Sequence, residues 1–410
     1  MPTTVHKYGG SSLADMAALE RVAANVARGH RSGERTVVVV SARGNTTDDL
    51  LRLAGRVHAG APARELDQLL ATGENQSAAL LAMVLHRLGV PAVSFTGPQA
   101  GIRAEGVHGA GLVADVDPAP MRRRLAAGEV VVVAGFQGLG ADGDVRTLGR
   151  GGSDTTAVAL AAALAAERCD IYTDVSGVLT ADPRVVPQAR VLARVDPAVM
   201  AEMAFAGARV LHSRAVELAA VRAIRVRVLS SLRPGGGTVI PERSDPHMLE
   251  TSSTVTAIAH DADVARVLVD TPSGHPDPAT EVLAVLAEHA VPVDLVARSG
   301  PQEEEFRIGF TVRSSELGRL TGPLRDTVAA LGGQVRVDDN VGKVSVIGMG
   351  LLNRPEYTAR MLAALRGAGI PTSWISISQL RTSAVIPRDR LTEAVGLLHA
   401  AFGLAELVPA

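Results

Sequence analysis

The sequence predicts an α/β fold around a mainly parallel sheet, followed by two small α+β domains. Three observations carry this expectation. In the first half, short β-branched runs alternate with alanine-rich stretches of helical spacing, and strands alternating with helices form a parallel sheet between helical layers. After Val228 the texture changes to Arg233, Pro234 and three glycines, then to a polar stretch from Glu242 to Thr254 that reads as an interdomain connection. Beyond it, Val267, Leu283, Leu286 and Pro292 recur as Val346, Leu362, Leu365 and Pro371, a weak repeat at an offset of 79.

Thr36 to Ser41, Ala92 to Phe95, Glu129 to Ala134 and Asp170 to Thr173 read as buried parallel strands, with Asp15 to Arg31 and Ser77 to Leu88 as helices. In such sheets ligands bind in the loops at the carboxyl ends of strands. Each C-terminal copy reads strand, helix, strand, strand, helix. Such βαββαβ units pack helices on one face of an antiparallel sheet and leave strand edges for pairing; two unrelated α+β domains are the alternative.

A chain of 410 residues is too long for one ordinary core. A formal net charge of −2 and 2% aromatic residues argue against a nucleic-acid partner. Cys169 is the only cysteine, which excludes an intrachain disulfide and a cysteine-based zinc site and suits a reducing compartment. No charged leader precedes Val5 and Lys7, and no apolar run approaches a membrane span, so a cytoplasmic protein without membrane contact is expected. Of 41 basic residues only Lys7 and Lys343 are lysines. A lysine kept against that background hints at a need for a compact point charge, or is chance.

Lys7-Tyr8-Gly9-Gly10-Ser11-Ser12 follows a short strand and precedes a helix. Its amides and the helix N-terminus could cradle phosphate beside the Lys7 charge, or the segment is only a turn. Gly149 to Thr156 opens an alanine-rich helix, with Asp154 able to cap it and Arg150 able to clamp a carboxylate in a planar fork. Thr173 to Val178, followed by Thr180, Asp182, Pro183 and Arg184, sits after a strand where a nucleotide loop is expected. Taken singly these are ordinary turn formers.

In company they resemble the aspartate kinases of the amino-acid kinase family over essentially the whole chain. The opening Lys-Tyr-Gly-Gly-Ser-Ser, Ser41-Ala42 with Thr46-Thr47, Gly73-Glu74, Gly135-Phe136-Gln137-Gly138, Gly149 to Asp154 and Thr173-Asp174 occur in family order. The resemblance implies an α/β/α kinase sandwich at 1–240, a linker at 241–254, and paired ferredoxin-like ACT domains. The first ACT domain would span 264–338, inserted in a second built from 255–260 plus 341–410. It implies that Lys7 contacts the transferred phosphoryl group, with Asp154 organising Lys7 and with Gly9, Gly10 and Ser11 lining the phosphate loop. Ser41, Thr47, Glu74 and Arg150 would hold L-aspartate, with Arg150 on the α-carboxylate. Thr173, Asp174, Asp182, Arg184 and Arg209 would surround ATP. Mg²⁺ would travel with the nucleotide, and no protein ligand is assigned to it. A homodimer through the ACT domains is expected.

The chain departs from the family pattern in places. Gly207-Ala208-Arg209 stands where a Gly-Ala-Lys or Gly-Ser-Lys step is usual, and Asn75 follows Glu74 where arginine is common. The candidate effector region comprises Ser273, Gly274, His275, Asp294, Arg298 and Ser299. Arg298-Ser299 replaces a frequent Gln-Asn, so feedback inhibition by lysine or threonine is expected to be weakened or lost. Met248 either starts a separate short regulatory subunit or is an ordinary surface methionine. Two other readings stand beside this one: a kinase of the same fold acting on glutamate, acetylglutamate or a nucleoside monophosphate, and an amino-acid sensor with a degenerate kinase half.

Overall fold

The computed structural model describes residues 2–233, 235–244, 255–272, 278–289, 291–299 and 306–406. They fall into two units, 2–179 with 190–244, and 180–189 with 255–406.

In the first unit the strands are β1 (Thr3–Tyr8), β2 (Arg35–Val40), β3 (Ala92–Phe95), β4 (Ile102–Glu105), β5 (Leu112–Val116) and β6 (Val130–Ala134). They continue as β7 (Gln137–Leu139), β8 (Val145–Thr147), β9 (Arg168–Thr173), β10 (Val226–Ser230) and β11 (Thr238–Ile240). Seven form a sheet in the order β11-β10-β9-β1-β2-β6-β3, parallel throughout except for the β10 to β11 hairpin pairing. The second sheet, β5-β4-β7-β8, is small.

The helices are α1 (Met16–Arg31), α2 (Thr46–Val57), α3 (Ala63–Arg87), α4 (Ala119–Ala126), α5 (Gly152–Leu164), α6 (Pro197–Phe205) and α7 (Ser213–Val221). β2 reads Arg-Thr-Val-Val-Val-Val because a central parallel strand is covered on both faces. On one face Leu19, Val22 and Val26 of α1 and Leu81 and Leu85 of α3 close a core over Val38, Val40, Val130 and Val132. On the other lies α5, whose residues are buried almost all round, which explains its alanine-rich composition.

The expected helix from Ser77 extends back to Ala63. Gly73, Glu74 and Asn75 interrupt the apolar spacing, yet Asp67, Leu70, Glu74 and Ser77 continue the buried face. Glu74 therefore stands in mid-helix. Asp154 does not cap α5: Gly151, at φ 71°, occupies that position and leaves Asp154 in the first turn.

The second unit holds β12 (Val255–Thr271), α8 (Pro278–Glu288), β13 (Val296–Ser299), β14 (Phe306–Val312), α9 (Leu317–Ala330) and β15 (Gln334–Gly348). There follow α10 (Pro355–Gly367), β16 (Trp374–Ile377), β17 (Arg381–Pro387) and α11 (Leu391–Ala401). All six strands form one antiparallel sheet, β13-β14-β12-β15-β17-β16. α8 and α9 cover a core around Val267, Ile308 and Phe310, while α10 and α11 cover one around Val344, Val346 and Ile386. β12 and β15 run through both halves, with register shifts between Asp261 and Arg266.

Residues 180–189 lie with this second unit, not with the 1–240 segment. Ala181 and Val186 join the core of Met361, Leu365 and Leu398. Thr180 O accepts from Ile258 N at 2.8 Å, and its hydroxyl meets His399 Nε2 at 2.9 Å. Met248, Ser273, Gly274 and His275 lie outside the described residues, as does the Ser299 side chain.

Candidate active site

β1 is a central strand, flanked in parallel by β2 and β9, and Lys7 stands near its carboxyl end. Its Nζ lies 2.6 Å from Asp154 Oδ1, and both side chains are nearly buried at 13% and 11% exposure. Tyr8, wholly buried, stacks on Tyr172 of β9 at 4.5 Å and accepts a hydrogen bond from Asn25 at 2.7 Å. This packing seats the strand end from which the glycine loop leaves.

Gly10 must be glycine because a Cβ would stand 2.7 Å from Ala42 O. Gly44 N donates to Gly10 O at 3.0 Å, and Ser41 N to Tyr8 O at 3.1 Å, so the loops after β1 and β2 lie side by side. Ser11 is exposed. At the N-terminus of α1, where the phosphate cradle is expected, Asp15 accepts from Ala18 N at 2.7 Å and places a carboxylate beside the first turn. Any anion here would meet the 9–12 turn instead.

Glu74 is 4% exposed. Its Oε1 accepts from Ala42 N at 3.0 Å, while Oε2 is buried with no hydrogen-bond partner among the described residues. Burial outweighs that bond and pushes the carboxyl up to about 7. Asn75 Oδ1 is likewise buried without a partner among them. Ser41 and Thr47 are half-buried, Thr47 in the first turn of α2.

Arg150 is exposed in the turn before α5, between Gly149 and Gly151. A Cβ on Gly151 would fall 2.1 Å from His212 Cγ, which excludes any other residue. Thr173 ends β9 and donates from its hydroxyl to Asp174 Oδ1 at 3.1 Å. Its carbonyl accepts from Ser231 N at 2.7 Å, and Ser12 donates to Ser231 Oγ at 2.9 Å. The glycine loop, Thr173 and the end of β10 thus meet. Arg209 is exposed between α6 and α7.

The structure does not place Asp182 and Arg184 with Thr173 and Asp174 in the first unit. They belong to the second, where Arg184 donates to Asp182 from Nε at 3.0 Å and Nη2 at 2.7 Å. The neighbouring Ala181 and Val186 draw that segment into an apolar core. Of the effector candidates, Asp294 is held by Lys343 and by Arg381 Nη2 at 3.1 Å, and Arg298 is exposed on β13. Sequence reasoning missed Asp67, which bonds to His108, Gly109 and Thr147, and Arg214, which bonds to Leu148 O and Gly111 O; Thr147 and Leu148 stand just ahead of the Arg150 turn.

Residues 2–230 match the amino acid kinase family and residues 344–402 an ACT domain. The aspartokinase of Mycolicibacterium smegmatis is 45% identical over 408 residues, 98% of this chain and 97% of that one. The chain is an aspartokinase family member. Among solved aspartokinases, aspartokinase III of E. coli in complex with aspartate and ADP (R-state) superposes with a TM-score of 0.82 at 26% identity, covering 98% of this chain and 100% of that one. The same enzyme in complex with lysine and aspartate (T-state) gives 0.70 at 26% identity, covering 98% and 99%. Lys7, Glu74, Arg150 and Asp154 all lie within the part matched to the kinase family.

Proposed function

We propose that this chain transfers the γ-phosphoryl group of ATP to the side-chain carboxylate of L-aspartate, giving 4-phospho-L-aspartate. The observation that carries the residue assignment is the nearly buried Lys7 and Asp154 pair at the carboxyl end of the central parallel strands, beside a glycine loop.

No general base is required. A carboxyl of pKa about 4 is ionised at neutral pH and attacks the γ-phosphorus directly. The obstacle is repulsion between two anions, so catalysis consists of positive charge and alignment. Lys7 supplies the charge at the transferred group, and Asp154 fixes its ammonium. Gly9, Gly10 and Ser11 present backbone amides, Ser41 and Thr47 line the aspartate site, and Arg150 takes the α-carboxylate. Glu74 faces the substrate ammonium, while Thr173 and Asp174, with Arg209, contribute to the nucleotide side. Asp182 and Arg184, paired with each other in the second unit, are assigned to the nucleotide on the family resemblance alone.

Mg²⁺ bound to the phosphate oxygens would offset their charge. The chain fits a nucleotide-borne ion better than a resident one. Among the described residues, the one cluster of metal-type ligands, His108, Asp142 and Asp144, has both carboxylates engaged by arginines, Arg146 at 2.6 Å and Arg64 at 2.7 Å. Asp174 is the exposed hard-oxygen donor at the nucleotide side.

The test is hydroxylamine trapping of the acyl phosphate with ATP, Mg²⁺ and aspartate. Hydroxamate with aspartate and none with glutamate supports the assignment, since one added methylene displaces the reacting carboxylate. ATP binding without turnover of any acid would favour the sensor reading.

The Glu74 carboxyl gives a pH signature. An ammonium partner needs it ionised, so the KM for aspartate should fall as pH rises through about 7 and then level, while Glu74→Gln should abolish the pH dependence along with most affinity. Folding moves the opposite way. The folded state holds this proton more tightly, so charging costs stability between about pH 4.5 and about pH 7, and Glu74→Gln should gain up to about 3 kcal/mol above it.

We assign the second unit to regulation. Asp294, engaged by two cations, is poorly placed to receive an effector ammonium, and Arg298 adds positive charge nearby in sequence. Both support weakened feedback inhibition. Titration with lysine and threonine, singly and together, should leave most activity at millimolar concentrations; complete inhibition would refute this. The exposed Ile375 and Ile377 of edge strand β16 support a homodimer through this unit. No described helix is long and apolar enough to cross a membrane, and a cytoplasmic site of action fits the use of ATP.

A further inference from the structure

Arg150 sits between Gly149 at φ 69° and Gly151 at φ 71°, so neither neighbour brings a side chain to hold the turn. Backbone bonds from Gly152 N to Gly149 O at 3.0 Å and from Leu148 N to Phe136 O at 2.8 Å close it locally, and two side chains distant in sequence add a hold from outside. Asp67 of α3, 1% exposed, accepts from the Thr147 hydroxyl and from Gly109 N at 3.1 Å, and meets His108 Nδ1 at 2.7 Å. Arg214 of α7 donates to Leu148 O at 2.7 Å and to Gly111 O at 3.1 Å. Gly111 N in turn donates to Thr147 O at 2.9 Å, and a Cβ on Gly149 would lie 3.1 Å from Gly109 O. The 108–111 segment is thus stitched to the strand end that launches Arg150, with Asp67 gripping one end and Arg214 the other.

We propose that Asp67 and Arg214 are positioning residues that aim Arg150 at the α-carboxylate of the substrate, and so set affinity for the acid without touching it. This rests on the assignment of Arg150 made above. A planar guanidinium matches a carboxylate only when the fork is aligned, and a displacement of about 1 Å removes most of the advantage. Asn at position 67 keeps the shape but turns one acceptor oxygen into a donor that faces other donors. Lys at position 214 keeps the charge, yet a single ammonium does not reproduce the two-pronged grip on Leu148 O and Gly111 O.

The test compares Asp67→Asn, Arg214→Gln and Arg214→Lys with Arg150→Gln, singly and combined, reading the KM for aspartate, the KM for ATP and kcat. Asp67→Asn and Arg214→Gln should each raise the KM for aspartate about tenfold or more, leave the KM for ATP within about twofold, and add little in the Arg150→Gln background. Arg214→Lys should recover only part of the affinity. The proposal is overturned if Arg150→Gln raises the KM for aspartate while the other variants leave it within about twofold, or if their effects multiply fully with that of Arg150→Gln. If Arg150→Gln itself leaves that KM unchanged, the Arg150 assignment is what fails. Should Asp67→Asn not fold, the Arg214 variants decide alone, and a lower active fraction at unchanged KM would mark a merely structural role and overturn the proposal.

Discussion

Lys7→Ala should lower kcat by about a thousandfold in protein that still folds and binds ATP. The magnitude follows from charge. A cation about 4 Å from a phosphoryl oxygen is worth about 4 kcal/mol at the effective dielectric of a partly buried site, close to three decades in rate. Alanine also strips Asp154 of its partner at 2.6 Å. An uncompensated carboxylate would then face the incoming anions, so the loss should exceed that from removing one neutral donor. Lys7→Ala with Asp154→Asn separates the two contributions: if the bare carboxylate adds to the damage, the double variant should be faster than Lys7→Ala alone. Steady-state ADP release coupled to hydroxamate formation measures both. A kcat for Lys7→Ala within tenfold of the parent would remove Lys7 from the chemistry.

Asp294→Ala should destabilise the second unit by about 1 to 3 kcal/mol, because it removes the carboxylate that both Lys343 and Arg381, at 5% and 10% side-chain exposure, engage. Burial alone would raise the Asp294 carboxyl; Lys343 and Arg381 more than offset this and hold it below the usual carboxylate range. Its folded pKa is depressed, so the stabilisation is present above an unfolded value of about 3.9 and is lost as pH falls through the lower folded value. Denaturant unfolding at neutral pH should show the second unit melting earlier in Asp294→Ala. Adding Lys343→Met and Arg381→Met should restore much of the loss, since an apolar core can replace a buried ion cluster. An unchanged midpoint in the single variant would mean that the other interactions of the two cations make up for the lost carboxylate.

Much of the first unit is legible in its sequence because parallel strands and glycine loops are local signals. Ala92 to Phe95 coincides with β3, and Thr36 to Ser41 and Glu129 to Ala134 differ from β2 and β6 by a residue at the ends. Lys7 stood out as one of two lysines, and the structure gives both lysines carboxylate partners, the buried Asp154 and the half-buried Asp294. Other features rest on partners far apart in the chain. Asp67 looks like any acid in a helix until Gly109 and Thr147 arrive beside it. Its one local signal is position, about two turns before Glu74 on the same buried face of the helix. Among the described residues, the Arg214 guanidinium donates to main-chain carbonyls, which carry no residue identity to read. The packing of Asp182 and Arg184 is not legible for the converse reason, since proximity in sequence to Thr173 gives no sign that Ala181 and Val186 draw the segment into the apolar core of the second unit.

The placement of 180–189 also bears on how such a gene can be divided. A polypeptide beginning at Met248 would carry every strand of the second unit yet lack Ala181 and Val186, and Ile258 N would lose the Thr180 carbonyl. It would lose two apolar side chains from the core of the second unit and one backbone hydrogen bond. A fragment made from an internal start would have to cover that core and satisfy that amide in another way, whereas a transplant of both pieces of chain keeps both contacts.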